Sequence, residues 1–240
     1  MAVETIPHAA PRSVRPLGNV IVTGAASGLG AATAAAILAA GGTPIALDRA
    51  APAAPSSEWI RVDLTDSEAT ERAVREIAVR GIDAVVTAAG IDVPGELGAI
   101  PGAEWERIVQ VNLFGTAAVI RAALPSLLER EGRIVTVAST LGHRGVSDAT
   151  AYCASKFGVI GFTRALSAEL KGRVGVTLLT PGGMHTAFFD ARDERYRPPP
   201  GADLCDPADV ANAIVFALSQ PVGCEVKELV IAHPNESSWP

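Results

Sequence analysis

Cysteine is scarce in this 240-residue chain, which has only three such residues, Cys153, Cys205 and Cys224. Their odd number and wide spacing match neither a disulfide framework nor a zinc site. We therefore expect free thiols, a reducing cytoplasmic location and no metal centre.

An excess of basic charge is also missing: 20 Lys and Arg face 26 Asp and Glu, a formal net charge of −6, with no long run of either sign. This balance disfavours a partner that is a nucleic acid or an anionic membrane. The longest nearly apolar segment, 31–42, is too short to span a bilayer, so we expect no membrane association. Residues 1–17 contain three prolines and lack the apolar core of a signal peptide, which predicts a flexible N-terminal leader.

Short runs rich in β-branched residues alternate with longer helical segments along the rest of the chain. Strands that are apolar on both faces and separated by helices are typical of a parallel sheet covered on both sides. We predict an α/β fold, a doubly wound parallel sheet forming a single Rossmann-fold domain over residues 18–240.

Two connections depart from this alternation. The segment after the second strand, 48–55, is rich in proline and predicts an irregular loop instead of a crossover helix. The segment at about 184–205, which we call the lid, is long, poorly patterned and placed after a strand, as in loops that cover a site. We interpret its charged residues as a solvated surface; they are Asp190, Arg192, Asp193, Glu194, Arg195 and Arg197.

A glycine-rich run, 23–30, follows the first strand and opens a helix. Its glycines, Gly24, Gly28 and Gly30, permit a tight turn in which backbone N–H groups can approach a pyrophosphate. The second strand ends at Asp48, where dinucleotide-binding folds place an acid that accepts hydrogen bonds from the adenosine ribose. Arg49, directly after it, could instead bind a 2′-phosphate.

Tyr152 and Lys156 lie four residues apart, which places a phenol and an ammonium on one face of a predicted helix. The cation favours the phenolate, as a general acid/base for a hydroxyl or carbonyl requires. Ser139 follows a strand thirteen residues earlier, at the edge of the sheet where α/β proteins bind ligands.

Together these residues resemble the short-chain dehydrogenase/reductase family, from about residue 19 to residue 232. The glycine run matches the family's T-G-x3-G-x-G motif, Tyr152 and Lys156 match its Y-x3-K, and Ser139 and Asn112 stand where its catalytic serine and helix asparagine would be. Residues 87–90 resemble its N-N-A-G run with both asparagines replaced, and 181–186 resembles its P-G-x3-T segment.

The resemblance implies an NAD(P)-dependent oxidoreductase that interconverts a secondary alcohol and a ketone on a small molecule. The implied catalytic residues are Ser139, Tyr152, Lys156 and Asn112. The expected cofactor-binding residues are Gly24, Ser27, Gly28, Leu29, Gly30, Asp48, Arg49, Asp63, Leu64, Ala89, Gly90, Tyr152, Lys156, Pro181, Gly182 and Thr186.

Three points stay open at this stage. We expect NAD(H) to be preferred because of Asp48, while Arg49 leaves NADP(H) open. The narrower alternative function is 3-oxoacyl-[acyl-carrier-protein] reductase, and the alternative from another class is a non-catalytic dinucleotide-binding regulator. The resemblance also implies a homodimer or homotetramer.

Overall fold

The computed structural model describes residues 14–52 and 58–239, so most of the predicted leader and part of the loop after the second strand lie outside the described residues. The strands are β1 Asn19–Thr23, β2 Thr43–Asp48, β3 Glu58–Arg61, β4 Ala84–Thr87, β5 Arg133–Val137, β6 Gly175–Pro181 and β7 Glu228–Ile231. The helices are α1 Gly28–Ala39, α2 Ser67–Ala78, α3 Gly102–Val109, α4 Thr116–Glu129, α5 Thr150–Glu169 and α6 Pro207–Leu218.

All seven strands run parallel in the order β3-β2-β1-β4-β5-β6-β7. This confirms the predicted doubly wound α/β fold. The strand order reverses between β1 and β4, and ligands bind at the carboxyl ends of the strands beside such a switch point.

Alternate residues of the strands serve two separate hydrophobic layers, because successive side chains point to opposite faces of a sheet. Ile21 of β1 packs in the layer under α2, α4 and α5. Its neighbours Val20 and Val22 pack in the layer under α1 and α6. The small residues of alanine-rich α1 allow it to lie close to the sheet.

The helical segment between β4 and β5 is not a regular α-helix. Between α3 and α4 the backbone forms a π-helical segment, Gln110–Gly115, so that one continuous helix runs over 102–129. Periodicity alone could not predict this local widening, which is frequent at functional sites. Among the described residues, this helix is the one long and apolar enough to cross a bilayer, but 61% of its most apolar window is buried inside the domain.

Residues 15–17, at the end of the predicted leader, contact the rest of the described chain. The Arg15 amide donates to the carbonyl of Ser219 at 3.0 Å, and Leu17 is buried against α1 and the sheet. Hydrophobic burial of Leu17 therefore fixes the last residues of the predicted leader to the body.

Ser126 ties α4 to the segment that leads into β4, because its hydroxyl accepts a 2.7 Å hydrogen bond from the buried amide of Ile82. We expect Ser126→Ala to lower the free energy of unfolding by about 1–3 kcal/mol, because the amide is left unpaired. Urea denaturation measures this, with Ser167→Ala on α5 as the control. An equal effect of the two substitutions would contradict the assignment.

Candidate active site

The glycine-rich run forms a tight turn from β1 into α1. Gly24 has φ +70°, and a Cβ built on it would lie 2.8 Å from the α-carbon of Ala89. A Cβ on Gly30 would lie 2.1 Å from the carbonyl oxygen of Gly24. Side chains at these two positions would push the backbone apart, so the sequence requirement for glycine here is steric.

The first turn of α1 is free to receive an anion. Ser27 occupies the N-cap position without a side-chain capping bond, and the turn contains no acidic residue. The α2 and α6 N-termini, in contrast, are capped by Asp66 and Asp206. Free amides at the positive end of a helix fit the pyrophosphate of a dinucleotide. Gly28 faces Thr186, which lies 3.4 Å from a Cβ built on this glycine, so the residues predicted from the two motifs meet here.

Asp48 closes the far side of this turn. Its carboxylate accepts hydrogen bonds at 3.0 Å from the backbone amides of Ala26 and Ala50. Arg49 points away from it toward Asp63, at 4.0 Å, in an exposed ion pair. Asp63 also accepts from the amide and hydroxyl of Thr65. The carboxylate of Asp48 thus contacts the glycine-rich turn, and the cation beside it in sequence, Arg49, is directed toward Asp63.

Tyr152, Lys156 and Ser139 converge at the carboxyl end of β5. The first two lie one turn apart on α5, and the Lys156 ammonium is 5.6 Å from the centre of the Tyr152 ring. Burial raises the pKa of Tyr152 to about 12, and a hydrogen bond with Ser139 opposes that rise. Cofactor and substrate would therefore have to help lower this pKa for the phenol to exchange protons near neutral pH.

Lys156 is buried without a carboxylate partner among the described residues. Its ammonium donates a 2.9 Å hydrogen bond to the carbonyl of Val137, the last residue of β5. Burial lowers the pKa of Lys156 to about 8. Gly90 faces this ammonium, since a Cβ built on the glycine would lie 3.5 Å from it.

Asn112, from the π-helical segment, holds the loop after β4. Its side chain accepts from the amide of Ile91 at 2.8 Å and donates to the Ile91 carbonyl at 2.9 Å. The same amide group donates to the Ser155 hydroxyl at 3.0 Å, and that hydroxyl donates to the Tyr152 carbonyl at 2.7 Å. Asn112 therefore links the β4 loop to the helix that carries the tyrosine.

The β4 loop departs from the family pattern at Thr87 and Ala88. Thr87 is buried, and its hydroxyl has no hydrogen-bond partner within the described part of the chain. The loop is held instead by Thr23 of β1, whose hydroxyl accepts from the Ala89 amide at 3.1 Å. The two asparagines are thus not needed to hold Ala89 beside the glycine-rich turn.

The two ends of the lid are hydrogen-bonded to each other. The His185 amide donates to the Cys205 carbonyl, and the Cys205 amide donates to the Gly183 carbonyl. Our interpretation of its charged residues as solvated is wrong for Arg192. This guanidinium is only 13% exposed, forms a 2.8 Å ion pair with Asp92 and stacks on Phe188. The sequence shows alternating charges but not which of them turns inward.

The segment 233–239 after β7 also packs at the site, a placement that its sequence did not suggest. Glu236 accepts a 2.9 Å hydrogen bond from the Gly183 amide, and the Ser238 hydroxyl lies 2.7 Å from the Thr140 hydroxyl beside Ser139. The pKa of Glu236 is lowered overall: burial raises it, but the hydrogen bonds from Gly183 and Ser238 outweigh that effect. The tail thereby joins the β6 loop to the β5 loop.

His143, in the loop after β5, is half-buried at the same place. Its Nε2 lies 3.3 Å from the Thr180 hydroxyl, and its ring meets Trp239 edge-on at 5.2 Å. Packing against the tail therefore explains this histidine without a role in the reaction.

Within the described residues, no group of three or more His, Cys, Asp or Glu side chains could hold a metal ion.

Comparisons with known proteins agree with this geometry. The family model for short chain dehydrogenases matches residues 18–197. An uncharacterised oxidoreductase of Staphylococcus aureus (strain MW2) is 32% identical over 224 residues, covering 88% of this chain and 95% of the relative.

Two solved structures are similar throughout. A proposed NAD(P)-dependent gluconate 5-dehydrogenase of Beutenbergia cavernae, with bound NADP, is 32% identical with a TM-score of 0.78, covering 92% of this chain and 97% of the other. The ligand-free aldohexose dehydrogenase of Thermoplasma acidophilum is 26% identical with a TM-score of 0.81, covering 89% and 91%.

The glycine-rich turn and the matched family model define the class: this chain belongs to the short-chain dehydrogenase/reductase family. It is an NAD(P)-dependent dehydrogenase or reductase.

The burial of Lys156 has a consequence for stability that can be measured. Between the folded pKa of about 8 and the ordinary value of 10.5, the unfolded chain binds the proton and the folded chain does not, so stability rises with pH. Relative to Lys156→Met, the wild type should gain about 2 kcal/mol of unfolding free energy between pH 7 and pH 10. Urea denaturation at both pH values checks this. A difference between wild type and variant that is independent of pH would show that the buried lysine does not change its pKa on folding.

Proposed function

We propose that this protein interconverts a secondary alcohol and a ketone on a small molecule, with Tyr152, Lys156 and Ser139 as its catalytic residues. The observation that carries the proposal is their convergence at the carboxyl end of β5, beside the glycine-rich turn. Bound NAD(P) would supply or accept the hydride.

Each residue has a role that its surroundings support. In the oxidative direction the deprotonated Tyr152 would take the proton of the alcohol oxygen, while the carbon that bears this oxygen gives up its hydrogen as hydride to the oxidised cofactor. The C–O bond then becomes a carbonyl, and release of the proton from Tyr152 to solvent restores the enzyme. Ser139 holds the substrate oxygen by a hydrogen bond. Lys156 would bind the nicotinamide ribose, and its positive charge, 5.6 Å from the ring centre, would favour the phenolate once the cofactor is bound. Asn112 is a positioning residue that keeps the β4 loop and α5 together.

The non-catalytic alternative is less well supported. Burying the Lys156 ammonium costs stability, and a regulator that only bound a dinucleotide would gain nothing from a phenol beside it. The narrower alternative, 3-oxoacyl-[acyl-carrier-protein] reductase, draws no support from the end of the chain. The last strand leads into 232–236, Ala-His-Pro-Asn-Glu, and not into the aspartate and two glycines typical of those enzymes.

We also propose that NAD is preferred over NADP. A 2′-phosphate would place negative charge against Asp48, whose carboxylate is fixed by the amides of Ala26 and Ala50. Ser27 offers no compensating cation, and Arg49 is directed toward Asp63. Arg49 is exposed and can rotate, so it could turn from Asp63 to accept the 2′-phosphate.

The remaining expectations are a cytoplasmic location and a homodimer or homotetramer. Two exposed aromatic side chains support the oligomer. Phe114 is 52% exposed on the helix that carries Asn112, and Phe157 is 48% exposed on the helix that carries Tyr152. Exposed aromatic side chains are enriched where subunits meet.

Tyr152→Phe should lower turnover by about 10²–10⁴-fold, because the proton donor and acceptor is removed. Binding of the dinucleotide should stay within about twofold, since the phenol does not contribute to the pyrophosphate cradle. Absorbance of the reduced nicotinamide measures turnover, and a fluorescence titration measures binding of the dinucleotide.

The control is Tyr196→Phe, because the chain has only one other tyrosine, whose hydroxyl donates to Asp148 in the lid contacts. It should keep most of the activity. A Tyr152→Phe variant that retained more than about a tenth of wild-type turnover would exclude the phenol as the acid/base.

The cofactor preference is tested by dissociation constants for NADH and NADPH. Wild type should bind NADH about a hundredfold more tightly, and Asp48→Ala should shrink that ratio by removing the like charge. Arg49→Ala should weaken NADPH alone if this arginine rotates onto the phosphate. A wild-type preference for NADPH would contradict the role given to Asp48.

A further inference from the structure

The ion pair between Asp92 and Arg192 is not used by the reaction proposed above. The Arg192 guanidinium donates a 2.8 Å hydrogen bond to the Asp92 carboxylate. The Asp92 side chain is 3% exposed and the Arg192 side chain 13%. Removing two charges from water in this way is favourable only when further hydrogen bonds satisfy them. Yet Asp92 Oδ1 and Arg192 Nε are buried and have no hydrogen-bond partner among the described residues.

Two independent sets of contacts place this pair beside Tyr152. Asp92 directly follows Ile91, whose backbone is held by both hydrogen bonds of Asn112. From the lid side, the Arg192 guanidinium carbon lies 4.8 Å from the centre of the Phe188 ring, which in turn lies 5.8 Å from that of Tyr152.

The charges of the pair reach the phenol itself. The largest effects on the pKa of Tyr152 are burial, which raises it, and the hydrogen bond with Ser139, which lowers it. The charges of the pair come next: Asp92 raises this pKa and Arg192 lowers it. A substrate whose reacting oxygen contacts Tyr152 would therefore have its neighbouring substituent close to these two side chains.

The unpartnered atoms indicate which substituent suits them. Asp92 Oδ1 can only accept a hydrogen bond, and Arg192 Nε can only donate one. A hydroxyl group does both, so it complements the pair without adding charge. An alkyl group would leave both atoms unpaired, and a carboxylate would meet the charge of Asp92.

We propose that Asp92 and Arg192 are specificity residues that select a neutral substrate carrying a second hydroxyl group next to the reacting carbon. The inference rests on the proposed alcohol and ketone chemistry, which it narrows to α-hydroxy ketones and vicinal diols.

The test compares three ketones of similar size: hydroxyacetone, butanone and pyruvate, which carry a hydroxymethyl, an ethyl and a carboxylate group beside the carbonyl. With either reduced cofactor, wild-type kcat/KM should be at least about tenfold higher for hydroxyacetone than for the other two. A higher value for pyruvate would assign Arg192 to carboxylate binding and overturn the proposal.

Variants then locate the origin of the preference. Arg192→Met should reduce the ratio of hydroxyacetone to butanone to about one. The control Arg195→Met should leave it unchanged, because this lid arginine is 67% exposed and stacks on Tyr196. Since Arg192→Met leaves the buried Asp92 unpaired and could unfold the lid, the paired variant Asp92→Leu with Arg192→Met removes both charges together. It too should lose the preference.

Binding measurements separate this proposal from the proposed function. In Tyr152→Phe saturated with reduced cofactor, calorimetry should show tighter binding of hydroxyacetone than of butanone, and Arg192→Met should abolish the difference. If no ketone is reduced but this pattern holds, the chemistry is wrong and the specificity pair stands. If ketones are reduced but the two bind equally, or neither binds measurably, the specificity pair is overturned and the chemistry is judged by its turnover.

Discussion

The side-chain amide of Asn112 is the contact on which the rest of the site depends. It is buried and bonded on three sides, to both backbone groups of Ile91 and to the hydroxyl of Ser155. Through these bonds the loop after β4, the π-helical segment and α5 keep fixed distances from one another. The positions of Tyr152 and Lys156 relative to the loop after β4 follow from that arrangement.

The site is built against stability. An ammonium and a phenol are buried next to each other, and burial shifts the pKa of each toward its neutral form. The single hydrogen bond to the Val137 carbonyl only partly compensates the lysine. The surrounding sheet offsets this cost with two continuous apolar layers, in which Ile21, Ile134 and Leu179 are fully buried. A rigid core of this kind allows a few unfavourable groups to persist at its edge.

The fold and the principal residues could be predicted because they follow local rules. The two-faced apolar strands predict a parallel sheet, the glycine run a tight turn, and the four-residue spacing places Tyr152 and Lys156 on one helix face. Arg192 could not be predicted, since its burial depends on a partner a hundred residues away, Asp92, and on stacking by Phe188. The contacts of Glu236 likewise depend on where the tail crosses the sheet edge. Long-range packing leaves no periodic pattern in a sequence.

The π-helical segment shows that part of this site is a matter of chain length and not of residue type. A wider turn accommodates an additional residue relative to a regular α-helix, and each residue rotates the helix by about 100°. Deleting one residue from 110–115 would restore regular α-helical winding. The Asn112 side chain would then turn away from Ile91, although the sequence would still contain every other functional residue. Insertions and deletions in this stretch are therefore a route by which such an enzyme could lose or gain a competent site, and comparisons that count only substitutions would miss it.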